Sequence, residues 1–577
     1  MVSRPGRERA PQWACEWRQF RLLAHDSMRR LLNSAVLSRD ADPWQFAIWA
    51  TVLVQTPPTL YAISVSAKYA LLRHATGGSV EHVLLGDRTF FVFYAMTAAA
   101  LLAALTWEAL FPDRMDQEIV GALPVHPRTL AAARLSAAIG MAAVFSAAIT
   151  LPSTILFAFV AVTHPPYWHI ALVVAGHLLG TMGGALCVFL ALLLVRGAAA
   201  MLLTASAASA LAAILQLVSI SGLIDAFLYV PSILPRMVDA TLSGTASAPW
   251  LPPIWFTAMY SVVAGDARDV MRTEAAHGAL AIATMLPTVA AVYLLPARWM
   301  ARRALESSSK QSAKVLSVLT RVTCGAVVWR PPLRPLVTFV IASFTRSRRH
   351  VLVVITQLGI GLAIAAVSVI AATVRRTLEL HEPAAYLLAV PLVLMFFSAL
   401  GLRAAYMIPI ELDANWPFRL VRMHVTRAAA AARHGMLAMS VLPVALLAGA
   451  AALALGWPAR TAASAALLDM LAGTLLVECV TYGWHAVPFA REHALSGQSL
   501  KWRGLIMVVP LFLFAFLNAR AQLLALGSAR AAAWYVAVMA GLAIAVRRLS
   551  ARESMRHELT FDDDGDSLAV LNLSNAL

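Results

Sequence analysis

Residues 113–134 read Asp-Arg-Met-Asp-Gln-Glu-Ile-Val-Gly-Ala-Leu-Pro-Val-His-Pro-Arg-Thr-Leu-Ala-Ala-Ala-Arg, and they separate two long apolar runs. This segment, elbow 1, combines a charged turn, a Leu-Pro break and the start of a new helix. The runs on either side each exceed 20 residues, and about 20 apolar residues in a helix cross a hydrocarbon layer about 30 Å thick. Because charged side chains are poorly suited to contact with lipid, we expect elbow 1 to be an extramembrane turn between two membrane spans.

The composition of the whole chain leads to the same conclusion. Hydrophobic residues make up 60% of the 577 residues, charged residues only 13%, and the mean hydropathy is +0.72. These values lie outside the range of soluble globular proteins. The apolar runs also lack the alternation that marks the strands of an outer-membrane barrel. The sequence therefore predicts an all-α fold, a polytopic transmembrane helical bundle.

The apolar runs predict about 12 spans in two halves of six. In the first half they lie at about 44–70, 89–111, 129–162, 167–195, 198–230 and 278–300. In the second half they lie at about 351–374, 384–408, 435–456, 464–490, 505–526 and 531–549. The predicted regions are an N-terminus with an amphipathic interfacial helix (1–43), a first half (44–300), a basic linker with a second amphipathic helix (301–350), a second half (351–549) and an acidic tail (550–577).

The distribution of Lys and Arg predicts the orientation of the chain. With the N-terminus in the cytoplasm, 34 of the 46 basic residues fall on inner segments and 11 on outer segments. The positive-inside rule therefore favours both termini in the cytoplasm, and the chain reads as a bacterial-type inner-membrane protein. Because the net charge of +16 is spread over many short loops, no nucleic-acid partner is expected. The four cysteines are scattered, which predicts neither a disulfide framework nor a metal site.

An amphipathic helix precedes the first span of each half. In residues 13–36, apolar side chains recur on one face at helical spacing, and residues 335–350 have a similar pattern. A helix of this kind next to a span is expected to lie at the membrane surface, as a collar. The outer segment 231–277 contains Pro252, Pro253 and Trp255, and it is expected to form short re-entrant helices.

The two halves also resemble each other. Arg128 and Arg134 at the end of elbow 1 match Arg427 and Arg433, both at a displacement of 299 residues. An acidic, proline-bearing turn precedes each pair, between the second and third spans of its half. Residues 411–433 are therefore elbow 2. Six spans per half give the halves the same orientation, as in transporters built from parallel repeats.

Polar residues inside the predicted spans are candidates for a functional site. Glu478, Tyr482 and His485 have the i, i+4, i+7 spacing of one helix face within the run 464–490. Arg403, in the eighth span, is an available partner for Glu478. A buried clasp that holds the bundle together is the favoured interpretation, and a proton-coupled site is the alternative. Gly176, Gly180 and Gly184 share one helix face as well, which predicts close helix packing.

The residues of elbow 1 are similar to a segment of a known family. Asp113-Arg-Met-Asp116-Gln-Glu118 followed by Leu123-Pro124-Val-His-Pro127-Arg128 resembles the elbow between the second and third spans of ATP-binding-cassette permease subunits of the type-2 exporter class. The collar and the outer Pro-Pro-Ile-Trp segment look like that family too. Elbow 2 resembles it more loosely, through Glu411-Leu-Asp413-Ala-Asn-Trp416-Pro417-Phe-Arg419.

The resemblance implies that the elbows are coupling helices that dock on an ATPase. The implied coupling residues are Asp113, Asp116, Glu118, Leu123, Pro124, Arg128, Glu411, Asp413, Trp416, Arg419 and Arg427. The chain contains no Gly-x-x-x-x-Gly-Lys-Ser/Thr loop, and Leu495-Ser-Gly-Gln-Ser499 lacks one glycine of the family's ATPase signature. Separate ATPase subunits are therefore expected to bind ATP and Mg²⁺, and this chain is expected to be neither an enzyme nor a cofactor binder. The resemblance does not specify the substrate, a small or lipid-like molecule whose identity the sequence leaves open.

Two alternatives stay open at the level of sequence. The first is a secondary, proton-coupled carrier that uses Glu478. The second is a membrane-embedded enzyme or scaffold, although no nucleophile–base–acid set is evident in the sequence. The missing ATPase domain is compatible with all three functions, whereas the charged elbow and its collar favour the permease.

Overall fold

The computed structural model describes residues 12–34, 43–72, 78–106, 123, 125–161, 168–242, 251–265, 268–306, 333–374, 380–410, 418, 423–489, 497–556 and 559. The regular structure of these residues is helical, which confirms the all-α bundle. The chain divides into two compact units, Met1–Ser308 (unit 1) and Ser309–Leu577 (unit 2).

Unit 1 contains nine described helices. They are α1 (Gln12–Ser34), α2 (Pro43–Leu72), α3 (Gly78–Leu105), α4 (Pro127–Ala161), α5 (His169–Leu202), α6 (Ala205–Leu242), α7 (Pro252–Val263), α8 (Asp269–Leu294) and α9 (Ala297–Glu306). Three of these helices, α2, α4 and α7, begin with proline. Proline suits the first helical position because its missing N–H would have no partner there.

Unit 2 contains eight described α-helices. They are α10 (Arg334–Arg346), α11 (Arg348–Val374), α12 (Ala385–Tyr406), α13 (Val425–Met436), α14 (Leu442–Ala454), α15 (Ala459–Val480), α16 (Gly497–Gly527) and α17 (Ala529–Ser554). A π-helical turn, Leu437–Val441, joins α13 to α14. Pro443 follows that turn and has no N–H to give to the carbonyl four residues earlier, so a wider turn accommodates its ring.

Ten helical segments of the described chain are long and apolar enough to cross a membrane, which makes the protein an integral membrane protein. They lie in α3, α4, α5 and α8 of unit 1, and in α11, α12, α13–α14, α15, α16 and α17 of unit 2. The first and fifth predicted spans correspond to α2 and α6. Helix α2 carries Gln55, Pro57 and Pro58 at its centre, which lower its hydropathy, and the apolar stretch of α6 is Ala210–Ala226.

Each collar packs on the helix that follows the elbow of its own unit. In unit 1, Leu31 of α1 lies in one apolar cluster with Leu135 and Ala138 of α4. In unit 2, Val337 of α10 lies in one cluster with Ala431 of α13. Other helix pairs also pack at corresponding positions in the two units. In unit 1, α3 packs on α5 and α6, α4 packs on α5, and α5 packs on α8. In unit 2, the corresponding pairs are α12 on α15 and α16, α14 on α15, and α15 on α17.

The predicted glycine groove of α5 is confirmed, and the helix that fills it is α7. A Cβ at Gly176 would lie 2.6 Å from the Tyr260 carbonyl oxygen, and one at Gly180 would lie 2.8 Å from the Phe256 carbonyl oxygen. A Cβ at Gly184 would lie 3.0 Å from Met96 Cγ of α3 and 3.4 Å from the Phe256 ring. Helix α7 is the outer Pro-Pro-Ile-Trp segment, and the groove lets its backbone rest directly on α5.

Candidate functional site

Most of the predicted coupling residues lie outside the described residues. They are Asp113, Asp116, Glu118, Pro124, Glu411, Asp413, Trp416 and Arg419. The structure describes the carboxyl-terminal edges of both elbows, where Leu123, Arg128 and Arg427 are exposed. These three side chains are free to meet a partner protein, and their coupling role stays a prediction.

A histidine starts the helix that follows each elbow. His126 Nδ1 accepts the backbone N–H of Arg128 at 3.2 Å, and His424 Nδ1 accepts that of Thr426 at 3.4 Å. The first N–H groups of a helix have no partner within the helix, so each imidazole satisfies one of them. Helix α4 begins directly after His126 and α13 directly after His424. The sequence signal was there, because a histidine precedes each of the aligned elbow arginines.

The edge of elbow 1 also meets the end of its unit. Arg298 Nη2 lies 2.9 Å from His126 Nε2, which brings the basic helix α9 against the start of α4. A displacement of elbow 1 would therefore reach α9 as well as α4.

Glu478 has a different partner from the one expected. Its Oε2 lies 3.2 Å from Arg433 Nη1, and the two side chains are only 8% and 11% exposed. Arg403 instead donates to the carbonyl of Val480, and its guanidinium lies 5.5 Å from the centre of the Trp484 ring. Glu478 is two residues from the end of α15, at the end of unit 2 that carries elbow 2, rather than in the middle of a span.

The expected helix face of Glu478, Tyr482 and His485 does not form. Helix α15 ends at Val480, and Gly483 adopts a φ of +67°, a left-handed conformation that breaks the helix. Tyr482 is therefore turned outward and exposed. His485 Nδ1 lies 2.9 Å from the carbonyl oxygen of Gly483, within the loop that follows the helix.

That loop fastens the start of elbow 2 through Phe489. The Phe489 N–H donates to the Tyr406 carbonyl at 2.9 Å, and its own carbonyl accepts the Ile410 N–H at 3.3 Å. Phe489 is 2% exposed and has a φ of +65°, a conformation that costs a residue with a side chain about 1–3 kcal/mol. His350 Nε2 donates to the Ile408 carbonyl at 2.9 Å from the other side. Residues 406–410 are thus held at both ends.

Unit 1 contains a buried polar cluster that the sequence did not indicate. The Asp87 carboxylate accepts from the Tyr61 hydroxyl at 2.6 Å, the Lys68 ammonium at 2.9 Å and the Tyr69 hydroxyl at 3.0 Å. The next residue, Arg88, is also buried, and its Nη1 donates to Ser261 Oγ at 3.1 Å. Hydropathy leaves both charged residues outside the second span, because the apolar run that predicts that span begins at residue 89.

Unit 2 has a separate network in which a neutral side chain, Gln522, donates to the buried Asp469. Gln522 Nε2 donates to Asp469 Oδ1 at 2.8 Å. The Tyr535 hydroxyl donates to Asn518 Oδ1 at 2.7 Å. These residues lie on α15, α16 and α17, so the network ties three helices together. The hydrogen bond between Tyr535 and Asn518 joins α17 to α16.

The described part of the chain holds no group of three or more His, Cys, Asp or Glu side chains that could bind a metal ion. No protein-family model matches the chain, and neither a curated protein nor a solved structure matches it. The described structure is that of a helical integral membrane protein. The two collars packed on the helices that follow the elbows, together with the buried charged clusters, are the features from which a function can be proposed.

Proposed function

We propose that the chain is the transmembrane permease subunit of an ATP-driven transporter of the ATP-binding-cassette kind, an exporter of the type-2 class. Separate ATPase subunits would bind ATP and Mg²⁺ and push on the elbows from the cytoplasm. The observation that carries the proposal is the recurrent assembly in which a collar packs on the helix that starts at the elbow, α1 on α4 and α10 on α13.

The packing within unit 1 would spread such a push through the bundle. Helix α4 contacts α1, α2, α5 and α8, so a tilt of α4 changes its packing against most of the unit. The collar keeps the amino-terminal part of α4 at the membrane surface, where it acts as a fulcrum. Exposed Leu123 and Arg128 would supply an apolar and a basic contact to the ATPase.

In unit 2 the Arg433–Glu478 pair would carry the movement. Arg433 is near the start of the span that follows elbow 2, and Glu478 is at the end of α15. A salt bridge that links two helices close to the elbow makes them move together. The Phe489 contacts with Tyr406 and Ile410 would fix the other side of elbow 2.

Purification of the full-length chain from its native membranes in mild detergent tests the proposal. We expect a stoichiometric partner that hydrolyses ATP, and Arg128→Glu combined with Arg427→Glu should reduce its recovery at least tenfold. Arg272→Glu, an exposed arginine of α8, is the matched control and should leave recovery unchanged. Transport by the purified chain alone, with no nucleotide-hydrolysing partner, would refute the permease.

The secondary carrier is the second candidate, and Glu478 is the residue that separates the two. A carboxylate that already pairs with Arg433 at a helix end fits a clasp better than a proton carrier. Proton-dependent uptake into vesicles that Glu478→Gln abolishes, without a partner protein, would favour the carrier. A permease would instead show ATP-dependent transport in Glu478→Gln vesicles that contain the ATPase, reduced but not abolished, because glutamine still accepts a hydrogen bond from Arg433.

A further inference from the structure

We propose that Arg88, with Ser261, Tyr260 and His177, forms a buried binding site for a small oxyanion, a carboxylate or phosphate group, in unit 1. This site does not depend on the permease function. It is drawn from the charge balance of the cluster, from polar atoms that have no partner, and from the placement of α7 on α5.

The charged side chains around Arg88, including Arg88 itself, sum to one excess positive charge. Asp87 is the buried carboxylate nearest in sequence, and it is occupied by Lys68 and by two tyrosine hydroxyls. Among the described residues, Arg88 forms no ion pair; its partners are Ser261 Oγ and the Tyr260 ring, whose centre lies 4.8 Å from the guanidinium carbon. A charge buried to 8% exposure is costly unless an opposite charge accompanies it. An anion would provide that charge.

Several polar atoms at the same place lack hydrogen-bond partners. They are Arg88 Nε, both ring nitrogens of His177 and the Tyr260 hydroxyl, which lies close to the guanidinium without a well-directed hydrogen bond. His177 is 0% exposed. More than nine in ten buried polar groups in proteins are hydrogen-bonded, and a bound ion or water molecule is one explanation for the exceptions.

The four residues lie on three neighbouring helices, two of which, α5 and α7, meet at the glycine groove. Arg88 is on α3, His177 on α5, and Tyr260 and Ser261 on α7. The His177 ring centre lies 5.3 Å from that of Tyr260 and 4.9 Å from that of Phe91. Gly176 and Gly180 allow the Tyr260 backbone to approach α5, and this approach sets the Tyr260 and Ser261 side chains beside Arg88.

The groups offered by the four residues select an anion. A guanidinium, two hydroxyls and an imidazole N–H are all donors, and no carboxylate is among them. Arg binds carboxylates and phosphates through paired, charge-assisted hydrogen bonds. The single excess charge fits a monoanion, either a free ion or the anionic group of a lipid or of a larger molecule.

Equilibrium dialysis of the purified full-length protein against labelled inorganic phosphate, at constant ionic strength in chloride, tests the site. We expect saturable binding of about one phosphate per chain, competed by acetate. Arg88→Gln should weaken binding at least tenfold, as the loss of a charge-assisted contact does. Arg272→Gln, an exposed arginine of the same unit, should bind as the wild type does.

His177→Phe keeps the aromatic packing and removes two unpartnered nitrogens, so it guards against a variant that fails to fold. It should raise the unfolding temperature without phosphate, because the orphaned polar atoms are gone, and it should also weaken phosphate binding several-fold. Competition by phosphatidylglycerol in the micelles would identify a lipid headgroup as the ligand, and lack of competition a free anion; both outcomes support the site. No saturable binding of phosphate or acetate to the wild type, or equal loss in Arg272→Gln, would overturn it.

Discussion

The Arg433–Glu478 pair is the most buried ion pair described in unit 2. Substitution of each member tests whether the pair acts as a clasp, that is, whether it holds its two helices together. Removal of one member leaves the other charged and unpaired. Glu478→Met and Arg433→Met should therefore each lower the free energy of unfolding by about 3 kcal/mol. The double variant Arg433→Met/Glu478→Met should regain most of that loss, as measured by chemical unfolding in detergent.

Additive losses in the double variant would contradict the clasp, because they would mean that the two residues do not stabilise the fold through each other. The exposed pair Arg556 and Glu553 is the control. Its single variants should change stability by less than about 1 kcal/mol.

Phe489 gives a second prediction at this scale, since its φ of +65° favours glycine over any residue with a side chain. Phe489→Ala and Phe489→Gly both lose the buried ring. Glycine, however, relieves the backbone, so Phe489→Gly should be more stable than Phe489→Ala by about 1 kcal/mol. Differential scanning fluorimetry of the two variants measures the difference.

Val487 provides the reversed comparison in the same loop. It is buried and has no positive φ, so Val487→Gly should be less stable than Val487→Ala. The same order of glycine and alanine at both positions would show that Phe489 is not under backbone strain.

For single residues, the sequence predicted which polar side chains would be buried better than it predicted which side chains they contact. Glu478 stood out because a carboxylate in an apolar run is costly, and it is indeed buried and paired. Its partner Arg433 comes from α13, and this contact depends on how α13 packs on α15 rather than on the sequence of one span. Asp87 and Arg88 were missed because hydropathy marks the apolar part of α3 alone, whereas the helix itself begins at Gly78.

At the scale of elements, α7 packs so closely on α5 that one added methyl group in the glycine groove should destabilise the fold. A Cβ at Gly180 would lie 2.8 Å from a backbone oxygen, which cannot turn aside as a flexible side chain can. Gly180→Ala should therefore lower the free energy of unfolding by about 1–3 kcal/mol. Chemical unfolding in detergent measures the loss.

Gly541 of α17 is the matched control, since nothing lies within 4 Å of a Cβ built there. Gly541→Ala should be neutral or stabilising by up to about 1 kcal/mol, because alanine is the better helix former. If Gly180→Ala proved equally harmless, the close approach of α5 and α7 would be wrong.

The helices of the bundle were largely predictable because their apolar length is imposed by the membrane. The glycine groove was predictable as well, since spacing four apart places small residues on one face. Helix α13 begins ten residues before the predicted run 435–456. The alanines from Ala428 to Ala432 favour a helix, but Arg433 and His434 interrupt the apolar run after them. The π-helical turn at Leu437–Val441 depends on packing around Pro443 and left no mark in the hydropathy.

For the whole molecule, orientation is the expectation with the widest consequences. We expect single cysteines introduced at Arg268 and Ser528 to react with a membrane-impermeant maleimide in intact cells. Cysteines at Leu123 and Arg427 should react only after permeabilisation. All four positions are exposed, so accessibility follows the side of the membrane, and labelling in a cysteine-free background measures it. Reversed labelling at the elbows would place them outside the cell and exclude contact with a cytoplasmic ATPase.

The predicted duplication can be compared with the packing inside each unit as well as with the residue matches. Alanine-rich segments align easily, and the displacement of 299 residues rests on two pairs of arginines. The recurrent pairs of packed helices, and the histidine that precedes both α4 and α13, are independent of that alignment. The halves still differ, because α2 packs mainly on α4, whereas its counterpart α11 packs mainly on α12. The pattern of apolar residues does not predict this difference.

The brevity of α7 has a consequence for how a tandem chain of this kind can arise. Its 12 residues span about 18 Å at 1.5 Å per residue, which is short of a full crossing. A helix of that length does not by itself change the side of the membrane on which the next helix begins. The predicted topology therefore keeps six spans in each half, whereas a few more turns in α7 would add a seventh and predict opposite orientations for the two halves.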